Sequence, residues 1–335
     1  MRPSSPLPLR TRAFTGALRR FGRFDVASMT GEQIAATRAR HQPALVARAV
    51  LGGKARGVAV EDTGLDVSAG TADGRVPVRI YRGGETPAQG APLVVGFHGG
   101  GWALGNLQQG DWVCSELAHQ LSAVVVSVDY RLAPEHPAPA GFDDCWAVTR
   151  WLLANAATLG ADAGRTAVMG DSAGGNLAAL VAIAHRDALR TADAGSPTVP
   201  LRHQVLIYPA TDLTMSSSSI AARPNAPVLP RRNMDRFLEH YLGTSTLGPS
   251  DPRVSPLFAA DHTDLAPALV QTADNDPLED DGERYADALR AAGVPVRYTR
   301  YSGVPHGFMS FPGAAPAARQ GLAEIVQELH RALAS

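Results

Sequence analysis

A chain of 335 residues, 45% of them hydrophobic, can bury the core of one large domain with an accessory part or of two ordinary domains. Its 31 basic and 32 acidic residues are interspersed and leave a formal net charge of -1, so the sequence shows no evident basic face to neutralise a polyphosphate, and nucleic acid is not an expected partner. The two cysteines, Cys114 and Cys145, belong to no CxxC or Cys/His cluster, which argues against a disulfide framework and a zinc site; no run of about 18 apolar residues reads as a membrane span.

The opening stretch as far as Phe24 is rich in Arg and Ser and free of acid until Asp25. It has no apolar core of signal-peptide length, so it reads as a frayed, basic lead-in to a helix, and a cytoplasmic location is the default. Residues 1 to about 50 read as helical, with Thr30 and Gln33 spaced as a capping box. Gly57 to Val67 and Val76 to Arg82 read as early strands joined by the turn residues Ala72-Asp73-Gly74, forming an antiparallel sheet edge. Leu93 to Phe97 and Ala123 to Val128 are continuous apolar runs, as expected of strands covered on both faces. Helices are expected at Asp111 to Leu121, Asp143 to Asn155 and Gly174 to Arg190, with a strand at Thr166 to Met169. Both cysteines then fall on helices as small hydrophobes. Strands follow at Gln204 to Tyr208, Ala268 to Thr272 and Pro295 to Tyr301, and helices near Asp281 to Ala292 and Ala315 to Ala334. This alternation predicts an α/β fold with a mostly parallel central sheet flanked by helices. Thr211 to Ser250 interrupts it with Ser- and Pro-rich sequence and one amphipathic segment, Arg232 to Leu242, in which Phe237 and Tyr241 at i, i+4 favour a packed element over disorder.

The chemistry centres on Gly170-Asp171-Ser172-Ala173-Gly174. Chance alone supplies roughly 0.2 G-x-S-x-G matches in a chain this long, so the context decides. This copy lies between a predicted strand and a predicted helix, where a nucleophile elbow must sit, and the glycines keep side chains away from a tight turn. Upstream, His98-Gly99-Gly100-Gly101-Trp102 follows a buried strand. Glycines let backbone N–H groups close round a developing oxyanion; the expected donors are those of Gly100 and Gly101, completed by Ala173 after the serine.

A serine hydroxyl needs a base, and the base an acid that holds its tautomer. Among the histidines after Ser172, His185 and His330 lie in helices and read as solvent-exposed, His203 opens a strand, and His240 and His262 fall in or near the insertion. His306, in a turn-rich loop after the last strand, is the expected base. Asp274, Asp276, Glu279, Asp280 and Asp281 crowd after the strand ending at Thr272. Their bland reading is a surface cluster. Asp276 is preferred as the acid because Pro277 stiffens its loop, Asp280 and Asp281 suit a helix start, and Asp274 is the competitor.

The motifs His98 to Trp102, Asp129-Tyr130-Arg131-Leu132-Ala133-Pro134-Glu135, Gly170 to Asn176, Asp276-Pro277-Leu278 and His306-Gly307-Phe308 occur in this order, and together the chain resembles the hormone-sensitive-lipase family of α/β-hydrolases. The resemblance implies a carboxylesterase with a triad of Ser172, Asp276 and His306, oxyanion donors at Gly100, Gly101 and Ala173, and no metal or organic cofactor. It also implies that His98 shapes the glycine loop and that Asp129 to Glu135 is a scaffold loop. Residues 1–50 and 211–250 would form a helical cap over a core of residues 51–210 and 251–335. Trp102, Phe237 and Tyr241 are the expected pocket residues and short to medium acyl esters the expected substrates; the oligomeric state is open, with a homodimer through the sheet edge consistent with the resemblance. The same triad would serve an amidase, a lactonase or an acyltransferase. A ligand-binding protein is the other reading, since plant gibberellin receptors resemble this family but lack the catalytic histidine, which is present here.

Overall fold

The computed structural model describes residues 3–20, 25–39, 47–67, 74–191 and 199–334. Eight strands form one sheet: β1 (Val58–Asp66), β2 (Arg75–Gly83), β3 (Ala91–Phe97), β4 (Val124–Val128), β5 (Ala161–Asp171), β6 (His203–Ile207), β7 (Ala268–Asn275) and β8 (Val296–Pro305). Their order is β1-β2-β4-β3-β5-β6-β7-β8. β2 pairs antiparallel with both β1 and β4, and every other pairing is parallel. The early hairpin is therefore the antiparallel edge; Ala72 and Asp73 of its expected turn lie outside the described residues.

All residues of β3, β4 and β6 are buried, because helices cover both faces of the sheet. Along the core the helices are α3 (Asp111–Gln120), α4 (Ala140–Ala154), α5 (Ala173–Thr191), α8 (Glu279–Ala291) and α9 (Ala317–Ala332). α3 and α9 pack with one face of the sheet and α4, α5 and α8 with the other, giving two apolar clusters separated by the strands. Cys114 on α3 and Cys145 on α4 are free and buried.

The remaining helices are α1 (Leu9–Arg20), α2 (Gly31–Arg38), α6 (Ser218–Ala222) and α7 (Arg231–Leu242). Thr30 caps α2 reciprocally with Gln33, as the spacing predicts. The insertion is ordered by its own polar residues: Ser216 donates to Asp212, Ser217 to Asp281 and Ser219 to the Pro277 carbonyl. A small third cluster joins Val26, Ile34 and Ala103 to Met29, Leu104 and Phe237, so the N-terminal segment and α7 meet over the glycine loop. The Asn233 side chain accepts from the Ala27 N–H, and Arg236 donates to the Met29 carbonyl.

The N-terminal lead-in differs from its expectation. Thr11 and Thr15 of α1 are buried, Thr11 donates to the Ala314 carbonyl, and Phe14 packs on Phe311 with ring centroids 5.0 Å apart. Basic composition suggested fraying, but the apolar and hydroxyl face of α1 finds partners far along the chain.

Candidate active site

β5 ends at Asp171 and α5 begins at Ala173, leaving Ser172 alone in the turn with φ +56°. A non-glycine residue there is strained by about 1–2 kcal/mol. The strain is held by neighbours: the Ser172 N–H donates to the Ile207 carbonyl, and its own carbonyl accepts from the Asn176 N–H. Glycine is required on both sides. A Cβ at Gly170 would lie 2.1 Å from the Gly174 carbonyl oxygen, and one at Gly174 would lie 2.0 Å from that of Phe97.

His306 follows β8 and brings Nε2 to 2.9 Å from Ser172 Oγ, while its Nδ1 lies 2.7 Å from Asp276 Oδ2. Asp276 is fully buried and its other oxygen accepts from the Leu278 N–H. The neighbouring acids divide as follows. Asp274 is buried too but bonds to Ser5, Asn275 and Val304 rather than to a histidine. Asp280 and Asp281 open α8, as expected, yet Asp281 is buried and accepts from Thr211, Asp212 and Ser217; burial pushes its carboxyl up to about 7. The acids are thus not a surface cluster, because the insertion folds over them and supplies donors. His185 is likewise buried, its Nε2 bonded to the Val199 carbonyl, whereas His330 is exposed as expected.

The glycine loop lies against the elbow. Asp171 accepts from the Gly99 N–H, and burial raises its carboxyl against the pull of His98 and that N–H. His98 stacks on Tyr130, whose hydroxyl donates to the His98 carbonyl. Gly100 has φ +127°, and a Cβ there would meet the Leu104 carbonyl at 2.1 Å. Among the described residues, the N–H groups of Gly100, Gly101 and Ala173 donate to no acceptor, which leaves three donors free around Ser172. In the scaffold loop, Arg131 pairs with the buried Asp144, and Glu135 pairs with Arg38 of α2.

Ser172 and His306 open into a cavity of about 710 Å³, walled by Trp102, Leu213, Met215, Met234 and Phe237 and lined from the N-terminal side by Phe14 and Val26. Phe237 stands so close over the loop that a Cβ at Gly101 would be 2.4 Å from its ring. Tyr241 departs from its expectation as a pocket residue. One turn further along α7, it is 1% exposed and stacks on Trp102 at 4.4 Å, so it backs the wall without facing the cavity. Asp212, Met215 and Phe14 line the cavity without having been expected from the sequence, and no local pattern marks them.

A family model for the α/β hydrolase fold matches residues 94–310. The chain belongs to the α/β-hydrolase family, in its hormone-sensitive-lipase branch. It is 44% identical over 263 residues to the carboxylesterase NlhH of Mycobacterium tuberculosis, covering 76% of this chain and 79% of the relative. It is 37% identical over 274 residues to an ethyl acetate hydrolase of Pseudomonas putida, covering 80% and 82%. Among solved structures, the ester-hydrolase EH1AB1 from the metagenome of Lake Arreo, complexed with a bipyridine phosphonate derivative, superposes with a TM-score of 0.83 at 36% identity, covering 97% of this α/β hydrolase and 98% of that chain. No helix among the described residues is long and apolar enough to cross a membrane.

Proposed function

We propose that the chain is a serine carboxylesterase that hydrolyses short- to medium-chain carboxylic esters through an acyl-enzyme intermediate. The observation that carries this reading is the line of hydrogen bonds from Asp276 through His306 to Ser172, at 2.7 and 2.9 Å, opening on a mostly apolar cavity. The relatives named as ester hydrolases support the bond class.

In this mechanism Ser172 Oγ attacks the ester carbonyl carbon while His306 Nε2 takes its proton, and Asp276 stabilises the imidazolium through Nδ1–H. The N–H groups of Gly100, Gly101 and Ala173 bind the oxyanion, each contributing about 3–4 kcal/mol in the transition state. His306 returns the proton to the leaving alcohol as the C–O bond breaks. Water, deprotonated by the same histidine, then attacks the acyl-enzyme and releases the acid. The cavity, about 710 Å³ with a wall that is mostly apolar by area, suits an ester with a short to medium acyl chain.

Ser172→Ala should lower turnover of a p-nitrophenyl ester about a millionfold and abolish labelling by a fluorophosphonate. Retention of most activity would overturn the assignment. Matched esters and amides assayed together should show turnover of the ester alone, and a rate profile over acyl length should fall at long chains; a maximum there would refute the substrate class. A cytoplasmic homodimer joined through an edge of the sheet, β1 or β8, completes the reading. Light scattering that returns the 35.2 kDa of one chain would refute the dimer.

A further inference from the structure

A buried carboxylate two residues from the proposed acid has no part in the mechanism above. Asp274 is fully buried near the end of β7, where the pairing with β8 slips between Ala273 and Asn275. Its Oδ1 accepts from the N–H of Val304, two residues before His306, and from the Asn275 side chain. Its Oδ2 accepts from the N–H of Ser5 at 2.7 Å, and its carbonyl accepts from the Ser5 neighbour, Ser4, at 2.6 Å. Asn275 Nδ2 also donates to the Ser5 carbonyl. One carboxylate thus ties the loop carrying Asp276, the end of β8 that leads into His306 and a segment some 270 residues away in sequence.

That segment is itself held. Arg300 of β8 donates to the Pro3 carbonyl, and Arg223 of the insertion reaches Ser4 Oγ and the buried Glu279. Glu279 also pairs with Arg300 at 2.5 Å. At Gly303, whose φ is +69°, an added Cβ would meet the Pro6 carbonyl at 3.1 Å, so the end of β8 just before His306 lies directly against the N-terminal chain. A buried carboxylate is costly unless its lone pairs are met, and here three of the donors that meet it belong to the pieces that must be kept in register.

We propose that Asp274 is a positioning residue through which residues 3–6 act as a strap that sets the spacing of the loops carrying Asp276 and His306. Loss of the strap leaves ester binding in the cavity unchanged but lets the His306 ring drift from Ser172, and a misplacement near 1 Å costs up to about a hundredfold in turnover. The effect therefore falls on kcat and spares KM. The proposal rests on the triad reading, which wild-type ester hydrolysis and its loss in Ser172→Ala test separately.

Two substitutions test the strap. Ser5→Pro removes the N–H that Asp274 accepts and sets a ring methylene in its place, together with loss of the Ser5 hydroxyl, in a half-exposed segment ahead of α1. Asp274→Asn keeps the shape but turns one acceptor into a donor. With p-nitrophenyl acetate, Ser5→Pro should lower kcat about tenfold and Asp274→Asn about thirty- to a hundredfold, each with KM within about twofold of wild type. The double variant should be no slower than Asp274→Asn alone, because both changes break one path. Circular dichroism and the unfolding midpoint accompany each assay, and a folded Ser5→Pro suffices if Asp274→Asn fails to fold. Unchanged kcat in folded Ser5→Pro, a rise confined to KM, or additive losses in the double variant would overturn the proposal.

Discussion

At the scale of single residues, steric demand and charge explain why so few side chains are tolerated around Ser172. Gly174 touches the Phe97 carbonyl so closely that a methyl group would have to displace β3 or the start of α5. Gly174→Ala should lower stability by at least about 1–3 kcal/mol and abolish fluorophosphonate labelling, as unfolding midpoints and gel fluorescence would register. Wild-type labelling would show that the elbow yields more easily than its contacts imply. Asp276→Asn makes a different prediction. The amide still accepts from the Leu278 N–H but cannot hold the Nδ1–H tautomer of His306. Turnover should drop by about 10⁴ with the fold intact, and a loss under tenfold would move the acid role elsewhere.

At the scale of elements, α7 brings a wall to the site and β6 carries a pH liability. Phe237 packs on the glycine loop and faces the cavity, so Phe237→Ala should open space directly above the proposed oxyanion donors. Its kcat/KM for butyrate or hexanoate esters should rise relative to acetate by about five- to tenfold, the value of one or two better-accommodated methylenes. An unaltered chain-length profile would mean that the acyl chain runs elsewhere. His203 opens β6 and is buried, and burial pushes its imidazole down to about 4 against the attraction of Glu328. The fold holds the neutral ring, whereas the unfolded chain takes up a proton near 6.5. Its contribution to stability is therefore complete above 6.5 and lost as pH falls through 4, by up to about 1.4 kcal/mol per pH unit in between. Urea midpoints compared at pH 7.5 and 4.5 should fall less in His203→Gln than in the wild type; equal falls would clear this residue.

At the scale of the whole molecule, the cavity is a joint product of distant chain segments. Phe14 and Val26 come from the N-terminal part, Trp102 from the loop after β3, Leu213 and Phe237 from the insertion, and Ser172 and His306 from the core. A chain that starts at residue 52 should keep the sheet but expose the apolar cavity wall. Ester turnover should fall at least about tenfold and binding of an apolar dye should rise. Full turnover by the shortened chain would show that the N-terminal segments neither roof nor position the site.

How much was legible in the sequence follows from the range of the interactions involved. The elbow, the glycine loop and the base each announce themselves because a tight backbone turn restricts residue types over five or six consecutive positions, and strand burial leaves an unbroken apolar run. These are local constraints, so the order of the elements, the sheet's parallel character and the candidates Ser172 and His306 are written in the residues alone, with Asp276 preferred over Asp274 only through Pro277. Long-range contacts decided the rest. Asp274 and Asp276 look alike in a string of acids, and only the approach of His306 to one and of Ser5 to the other separates them. Tyr241 and Phe237 share a face of α7 at i, i+4, yet the first stacks behind Trp102 and the second faces the cavity. The basic lead-in carries no local signal of order, and its order comes from partners such as the Asp274 carboxylate and the Ala314 carbonyl, which lie about 270 to 300 residues away. Which buried polar groups find partners is a property of the assembled chain, since the donors and acceptors that satisfy them are brought together only by the packing.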